Sequence, residues 1–183
     1  LLFNLPGQSL SEMKDDVSRA VDLGLDQICL YHLVMFRGLA APWARDNRLL
    51  ASLPDNETAS RHWEVLREHL LARGFRQTTL TNFERCDLRN DSRRYQYELL
   101  SFQPDHFDML GFGPSGISFT EHTPQSFALK TMNPENAVEY LQAVHRGGTV
   151  WNRYYEFSLS DFKLLHATRQ LSALQIDRQR YQD

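Results

Sequence analysis

Close to the start of the chain, Ser9-Leu10-Ser11-Glu12 sets a hydroxyl and a carboxylate three residues apart just before an apolar-periodic stretch. This is a capping box: the Ser9 hydroxyl accepts from the backbone N–H of Glu12, and the Glu12 side chain reaches back to the N–H of Ser9. Met13, Val17, Ala20, Val21 and Leu23 or Leu25 recur at helical spacing, and Gly24 stands where a left-handed residue ends a helix, so the helix should close near Leu23. Apolar runs flank it on both sides, Leu1 to Pro6 before and Gln27 to Val34 after. The second run is short and partly β-branched and reads as a strand buried on both faces. A capped helix between two such runs implies a parallel strand-helix-strand unit, and this constrains the fold more than any other feature of the sequence.

The alternation continues. Gly38, Pro42 and Pro54 interrupt residues 35 to 55, which predicts a long loop with at most a short helix near Trp43 to Leu50. Asn56 is the expected cap of a strong helix with Trp63, Leu66, Leu70 and Leu71 as its stripe and Gly74 as its stop. Phe75 to Thr81 supplies another strand, so a parallel α/β sheet or barrel segment is the expected architecture. Beyond the loop near Thr123 to Met132 the character changes to helices. One is expected with Asn133 as N-cap and Pro134 at its first position, and another runs from Ser158 or Ser160 through Leu174.

Twenty Lys and Arg against 23 Asp and Glu give a formal charge of −3, which supplies no field for gripping a phosphate backbone, so nucleic acid is not an expected partner. Cys29 and Cys86 are the two cysteines, too few for a disulfide framework. No signal peptide or bilayer-length apolar run is visible, and a cytoplasmic location without a membrane span is the expectation. The first residues lack an initiator Met and suit a buried strand, while Ile176 to Asp183 has no breaker or cap; the chain reads as cut at its start, with a second cut at its end also open.

Gly111-Phe-Gly-Pro-Ser-Gly116 matches the G-x-G-x-x-G pattern of dinucleotide sites, but Ile117-Ser-Phe-Thr120 reads as extended where that pattern requires a helix. A tight glycine turn at a strand end is the better reading, and its thin backbone can still admit a flat ligand. The seven histidines show no ligand spacing, so no metal site is expected from this chain. His32 stands at the end of a core strand, where α/β sites lie, and reads either as a binding residue or as structural; His62 and His69 read as solvated helix face. Arg85, Arg89, Arg93 and Arg94, with Tyr95 and Tyr97, are either a charged loop balanced by Glu84, Asp87 and Asp91 or a carboxylate-binding patch.

Four ordered blocks carry a resemblance. Leu1-Leu-Phe-Asn-Leu-Pro-Gly-Gln-Ser9 with its capped helix, Ile28-Cys-Leu-Tyr-His-Leu33, Gly74-Phe-Arg76 with Thr81-Asn-Phe-Glu-Arg85, and Leu110-Gly-Phe-Gly-Pro-Ser-Gly-Ile-Ser118 resemble the oxygen-independent coproporphyrinogen III oxidase family of radical S-adenosylmethionine proteins. Trp151 with the Leu159-Ser-Asp161 helix start resembles the family's C-terminal domain. The resemblance implies an α/β fold: residues 1–123 as the later strands of a partial, open (β/α) barrel and residues 124–183 as the start of a C-terminal helical domain. It implies an enzyme of haem biosynthesis that oxidatively decarboxylates propionates of a tetrapyrrole, with a haem-binding carrier or chaperone, or a haem-degrading relative, as alternatives on the same fold.

The cofactors so implied are S-adenosylmethionine and a [4Fe–4S] cluster fed by an electron donor. The cluster's C-x-x-x-C-x-x-C ligands are expected before Leu1, since Cys29 and Cys86 do not match them, and this stretch alone is expected to be inactive. The resemblance assigns no catalytic residue and no metal ligand here. It places S-adenosylmethionine contacts at Val34 and Ile117, beside Gly113 and Gly116, and leaves His32, Arg93 and Arg94 as candidate substrate contacts. The chain departs from the family at Asn4, where many members carry glycine, and at Arg89-Asn-Asp-Ser-Arg-Arg-Tyr95, which replaces the His-Asn-Leu-x-Tyr-Trp block of the haem-chaperone branch.

Overall fold

The computed structural model describes residues 1–35, 42–121 and 126–179, with the backbone alone at 42 and 43. They form two compact units, Leu1–Tyr95 and Gln96–Asp183. In the first, strand β1 (Leu2–Phe3) leads into helix α1 (Leu10–Asp22), and β3 (Tyr31–His32) returns parallel to β1 with Leu2 opposite Tyr31. The capping box is made as expected: Ser9 N–H donates to Glu12 Oε2 at 2.8 Å and Glu12 N–H to Ser9 Oγ at 3.3 Å. Gly24, with φ +72°, takes the left-handed turn that ends the helix.

The run Gln27 to Val34 is not one strand buried on both faces. It divides into β2 (Gln27–Cys29) and β3, with Ile28 and Leu30 inward while Tyr31 and Val34 stay exposed. The remaining strands of this unit also depart from the parallel expectation. β4 (Phe75–Gln77) and β5 (Asn82–Arg85) form an antiparallel hairpin, and β5 pairs antiparallel with β2, in the order β2-β5-β4. The turn from Thr78 to Thr81 is too short for a parallel crossover, and the N–H of Thr78 donates to Asn82 O at 2.9 Å to close it.

Helices α1 and α3 (Asn56–Ala72) carry the buried faces of this frame, and the short α2 (Asn47–Ala51) falls in the predicted loop. Helix α3 is capped by Asp55, one residue before the expected Asn56, through Thr58 N–H at 2.8 Å. Met13 and Val17 of α1, Leu66 and Leu70 of α3, and Phe3, Ile28, Phe75 and Phe83 of the strands make one buried cluster. Full burial of each such side chain contributes about 1.5–3 kcal/mol, which makes this cluster the main source of the unit's stability.

In the second unit, α4 (Tyr97–Ser101) precedes a three-stranded antiparallel sheet of β6 (Ile117–Glu121), β7 (Ala128–Met132) and β8 (Arg153–Phe157). Helix α5 (Ala137–Arg146) links β7 to β8, and α6 (Leu159–Ser172) follows, its capping box made by Ser158 and Asp161. The region after 123, expected to be helical, thus contributes two strands: β7 gains a ladder against Ile117–Glu121, and β8 adds to the other edge of β7. The β6-β7 ladder ties residues on both sides of position 123 into one sheet. Phe119, Ala128 and Phe162 form the buried cluster here.

Asn133 is not the cap of α5. Asn136 is, accepting from Val138 N–H at 2.8 Å, so the helix begins after the expected start. Among the described residues no helix is long and apolar enough to cross a membrane.

Candidate functional site

The glycine turn is the most tightly constructed piece of the second unit. Met109 and Phe119 exchange backbone hydrogen bonds of 2.8 Å, bringing the two limbs together, and Gly111 N–H donates to Ser118 Oγ at 3.0 Å. A side chain at Gly111 would overlap the backbone of Ile117. One at Gly116 would press on the Asn133 amide and the Gly111 carbonyl carbon, each at 2.9 Å. Gly113 has φ +85° and Ser115 φ 58°. These glycines therefore let the turn's own limbs touch, which accounts for them before any ligand is considered.

Asn133 is drawn into the same turn. Its side-chain amide donates to Gly113 O at 3.0 Å and to Gly111 O at 3.3 Å, while its backbone N–H donates to Gly116 O at 2.9 Å. Tyr140 of α5 adds a hydroxyl that accepts from Gly113 N–H at 3.1 Å. Neither contact has a local sequence signal. The turn is held from the following strand and helix.

Beside it lies a cleft of about 850 Å³, all within the second unit. Its apolar lining includes Tyr97, Phe102, Phe107, Leu110, Phe112 and Ile117, several of them well exposed, with Phe112 at 84% and Ile117 at 40%. Lys130 of β7 and Arg169 of α6 bring positive charge, and Glu98 and Asp108 bring negative charge. The volume falls in the range of small-molecule sites, and an apolar wall with a few polar groups is their usual make-up.

The residues anticipated from sequence fall into two groups. Gly113, Gly116 and Ile117 come together at the glycine turn, where Gly116 and Ile117 line the cleft. His32 and Val34 stand at the end of β3 in the first unit, Val34 being 65% exposed. His32 is engaged within the protein: its Nδ1 accepts from Asn4 Nδ2 at 3.1 Å, and Asn4 Oδ1 accepts from His62 Nδ1 at 2.6 Å. Asn4 is buried with φ 62°, the conformation a glycine would adopt without strain.

His62 and His69 are not solvated helix face. His62 meets Asn4, just after β1, and His69 meets Ser18 Oγ of α1 at 2.8 Å, because α3 packs against α1 through this side. Burial pushes the His69 imidazole below its ordinary pKa, helped by Lys14 and Arg73.

Arg93 and Arg94 also belong to the first unit, and both already face protein carboxylates. Arg93 pairs with Asp91 at 3.2 Å and Asp26 at 3.5 Å, and its hydrogen bond holds the Asp91 carboxyl below its ordinary pKa. Arg94 lies 3.7 Å from Glu84, a buried carboxylate that also pairs with Arg76 and accepts from Tyr95 N–H at 3.1 Å. Both arginines thus have carboxylates of their own unit within ion-pair distance.

Cys29 donates its thiol to Asn82 Oδ1, and Cys86 is exposed. Among the described residues no group of three His, Cys, Asp or Glu is placed to hold a metal ion. These residues do not fit an iron–sulfur cluster site.

No protein-family model and no curated protein matches the sequence. The structure, by contrast, is similar to coproporphyrinogen III oxidase (HemN) of Escherichia coli, described as a radical SAM enzyme, with a TM-score of 0.67 at 16% identity. The match covers 98% of this chain and 41% of that one, so the chain spans about two fifths of the neighbour's length. At that identity the likeness shows the fold: a mixed α/β arrangement shared with part of a radical SAM enzyme.

Proposed function

We propose that this chain is the later part of a radical S-adenosylmethionine enzyme acting on a tetrapyrrole, with oxidative decarboxylation of propionate side chains as its reaction. The observation that carries the reading is the fold likeness across nearly the whole chain to a coproporphyrinogen III oxidase. The cleft supports it, since its aromatic lining suits a large flat or puckered ring system. In this reading residues 1–123 derive from the barrel and 124–183 open the C-terminal domain.

S-adenosylmethionine, when bound, supplies the 5′-deoxyadenosyl group for hydrogen abstraction. The part this chain plays is binding. Ile117, partly exposed beside Gly116, offers an apolar surface to the adenosine. The fixed turn keeps Ile117 in place without further ordering on binding, which lowers the entropic cost. Tyr97, Phe107 and Phe112 exclude water from the substrate once it is seated. The iron–sulfur cluster's thiolates belong, on the resemblance, to sequence preceding Leu1.

The test is to reconstitute the full-length protein with iron and sulfide and supply S-adenosylmethionine, reductant and coproporphyrinogen III. Formation of 5′-deoxyadenosine together with loss of carbon dioxide from the substrate is expected. Absence of 5′-deoxyadenosine above background removes the radical reading. Its formation with an unaltered porphyrinogen keeps the radical chemistry and rejects the substrate.

A further inference from the structure

Arg93 and Arg94, candidate carboxylate-binding groups by sequence, face carboxylates of their own unit. The glycine-turn cleft contains two other cations with different surroundings. Lys130 lies opposite Phe119 and Tyr155 in the β6-β7-β8 sheet, so it shares the sheet face that carries Phe119. Its Nζ sits 5.8 Å from the Tyr155 ring centroid. Arg169 of α6 holds its guanidinium 5.5 Å from the Phe102 ring centroid. Among the described residues neither makes an ion pair, although most arginines of the first unit do.

An aromatic face restrains a cation without neutralising it, because the ring contributes a quadrupole and no countercharge. Both side chains are half-buried, so they are partly ordered and partly desolvated before a ligand arrives. Their sequence separation hides the pairing, and the fold alone brings them to one cleft.

We propose that Lys130 and Arg169 anchor carboxylates of the ligand in this cleft, while the Phe102 and Phe112 side of the lining meets its apolar ring. The proposal rests on the tetrapyrrole reading above and assigns the groups that recognise the substrate's acidic side chains. Glu98 and Asp108 line the same cleft, with Asp108 Oδ1 accepting from Glu121 N–H at 3.1 Å. Their negative charge disfavours a carboxylate everywhere except beside the two cations, which turns attraction into a choice of orientation.

Fluorescence titration of the full-length protein with coproporphyrin III and with its uncharged tetra-amide tests this. The wild-type protein should prefer the tetra-acid. Lys130→Met and Arg169→Met should each weaken tetra-acid binding by roughly 10-fold, the loss expected for one charge-assisted hydrogen bond. Tetra-amide affinity should not change, a result that a merely structural role for either side chain would not give. The charge-retaining Lys130→Arg and Arg169→Lys should restore most of the preference, and they keep the test usable if a methionine variant does not fold. Equal binding of the two ligands by wild type, or a preference that survives in the double methionine variant, overturns the anchoring role and leaves the tetrapyrrole reading standing. Failure of wild type to bind either ligand overturns both.

Discussion

The two units spend their apolar residues differently. In Leu1–Tyr95 a large cluster turns inward, with Phe83, Leu66 and Leu70 fully buried between one pair of helices and the strands, although Leu23, Val34 and Leu80 stay exposed. In Gln96–Asp183 the buried cluster is small, while Leu110, Phe112, Tyr154, Tyr155 and Leu164 remain more than half exposed. The first unit is held by hydrophobic burial. The second relies more on directed hydrogen bonds, above all those from Asn133 and Tyr140 into the glycine turn. Apolar surface that is left open around a polar-braced turn is surface available for contact, and the cleft lies there.

The contrast is most exposed to Phe83→Ala, which should cost the first unit about 3–5 kcal/mol in urea unfolding followed by hydrogen exchange of α3 amides. Phe112→Ala should leave stability nearly untouched; a comparable loss there would erase the distinction. Asn133→Ala comes next. It removes the side-chain donor from Gly111 O and leaves Gly113 O with the Gly116 N–H alone, and about 1–3 kcal/mol of local stability should disappear, read as faster exchange at Gly113 and Gly116. An effect spread evenly over both units would mean that the turn is not a local brace.

How much of this was legible in the sequence follows the same divide. Ser9 with Glu12 was readable because a capping box is complete within four residues, and of the two starts the sequence offered for α6, Ser158 and Ser160, the structure takes Ser158. The antiparallel pairing of β4, β5 and β2 was not, since the partner of a short strand is decided by tertiary packing and turn length. Asn133-Pro134 carried a helix-start signal that was locally sound, yet the glycine turn captured the amide. His62 and His69 looked solvated because nothing on α3 announces which face meets α1 and Asn4. Around the cleft, the glycines were visible as a G-x-G-x-x-G pattern and Ile117 was singled out by resemblance, whereas Lys130 and Arg169 stand in no motif.

Smaller effects sharpen the comparison further. Ser9→Ala and Ser158→Ala remove equivalent capping hydroxyls from α1 and α6, and each should cost about 1 kcal/mol by thermal or urea unfolding. Unequal losses would show that one helix depends on its cap more than its packing. His69 provides the mildest probe. Because its folded pKa lies below the ordinary value, the folded state binds fewer protons than the unfolded chain. Its contribution is full above about pH 6.5 and is lost as pH falls through that value towards the lowered one. His69→Gln should flatten this acid limb in pH-dependent unfolding of the first unit while leaving the second unchanged.

Asn4 has a consequence for proton inventory. One carboxamide donates to His32 and accepts from His62, so in the neutral state the two imidazoles must be opposite tautomers, His32 protonated at Nε2 and His62 at Nδ1. Rotating the carboxamide by half a turn would exchange both assignments at once, since each ring would then meet the other end of the amide. The remaining nitrogen of His32 would change from donor to acceptor, and that of His62 from acceptor to donor. A single side-chain torsion thus sets the polarity of two rings carried by different elements, and nitrogen chemical shifts of the paired imidazoles would register its position directly.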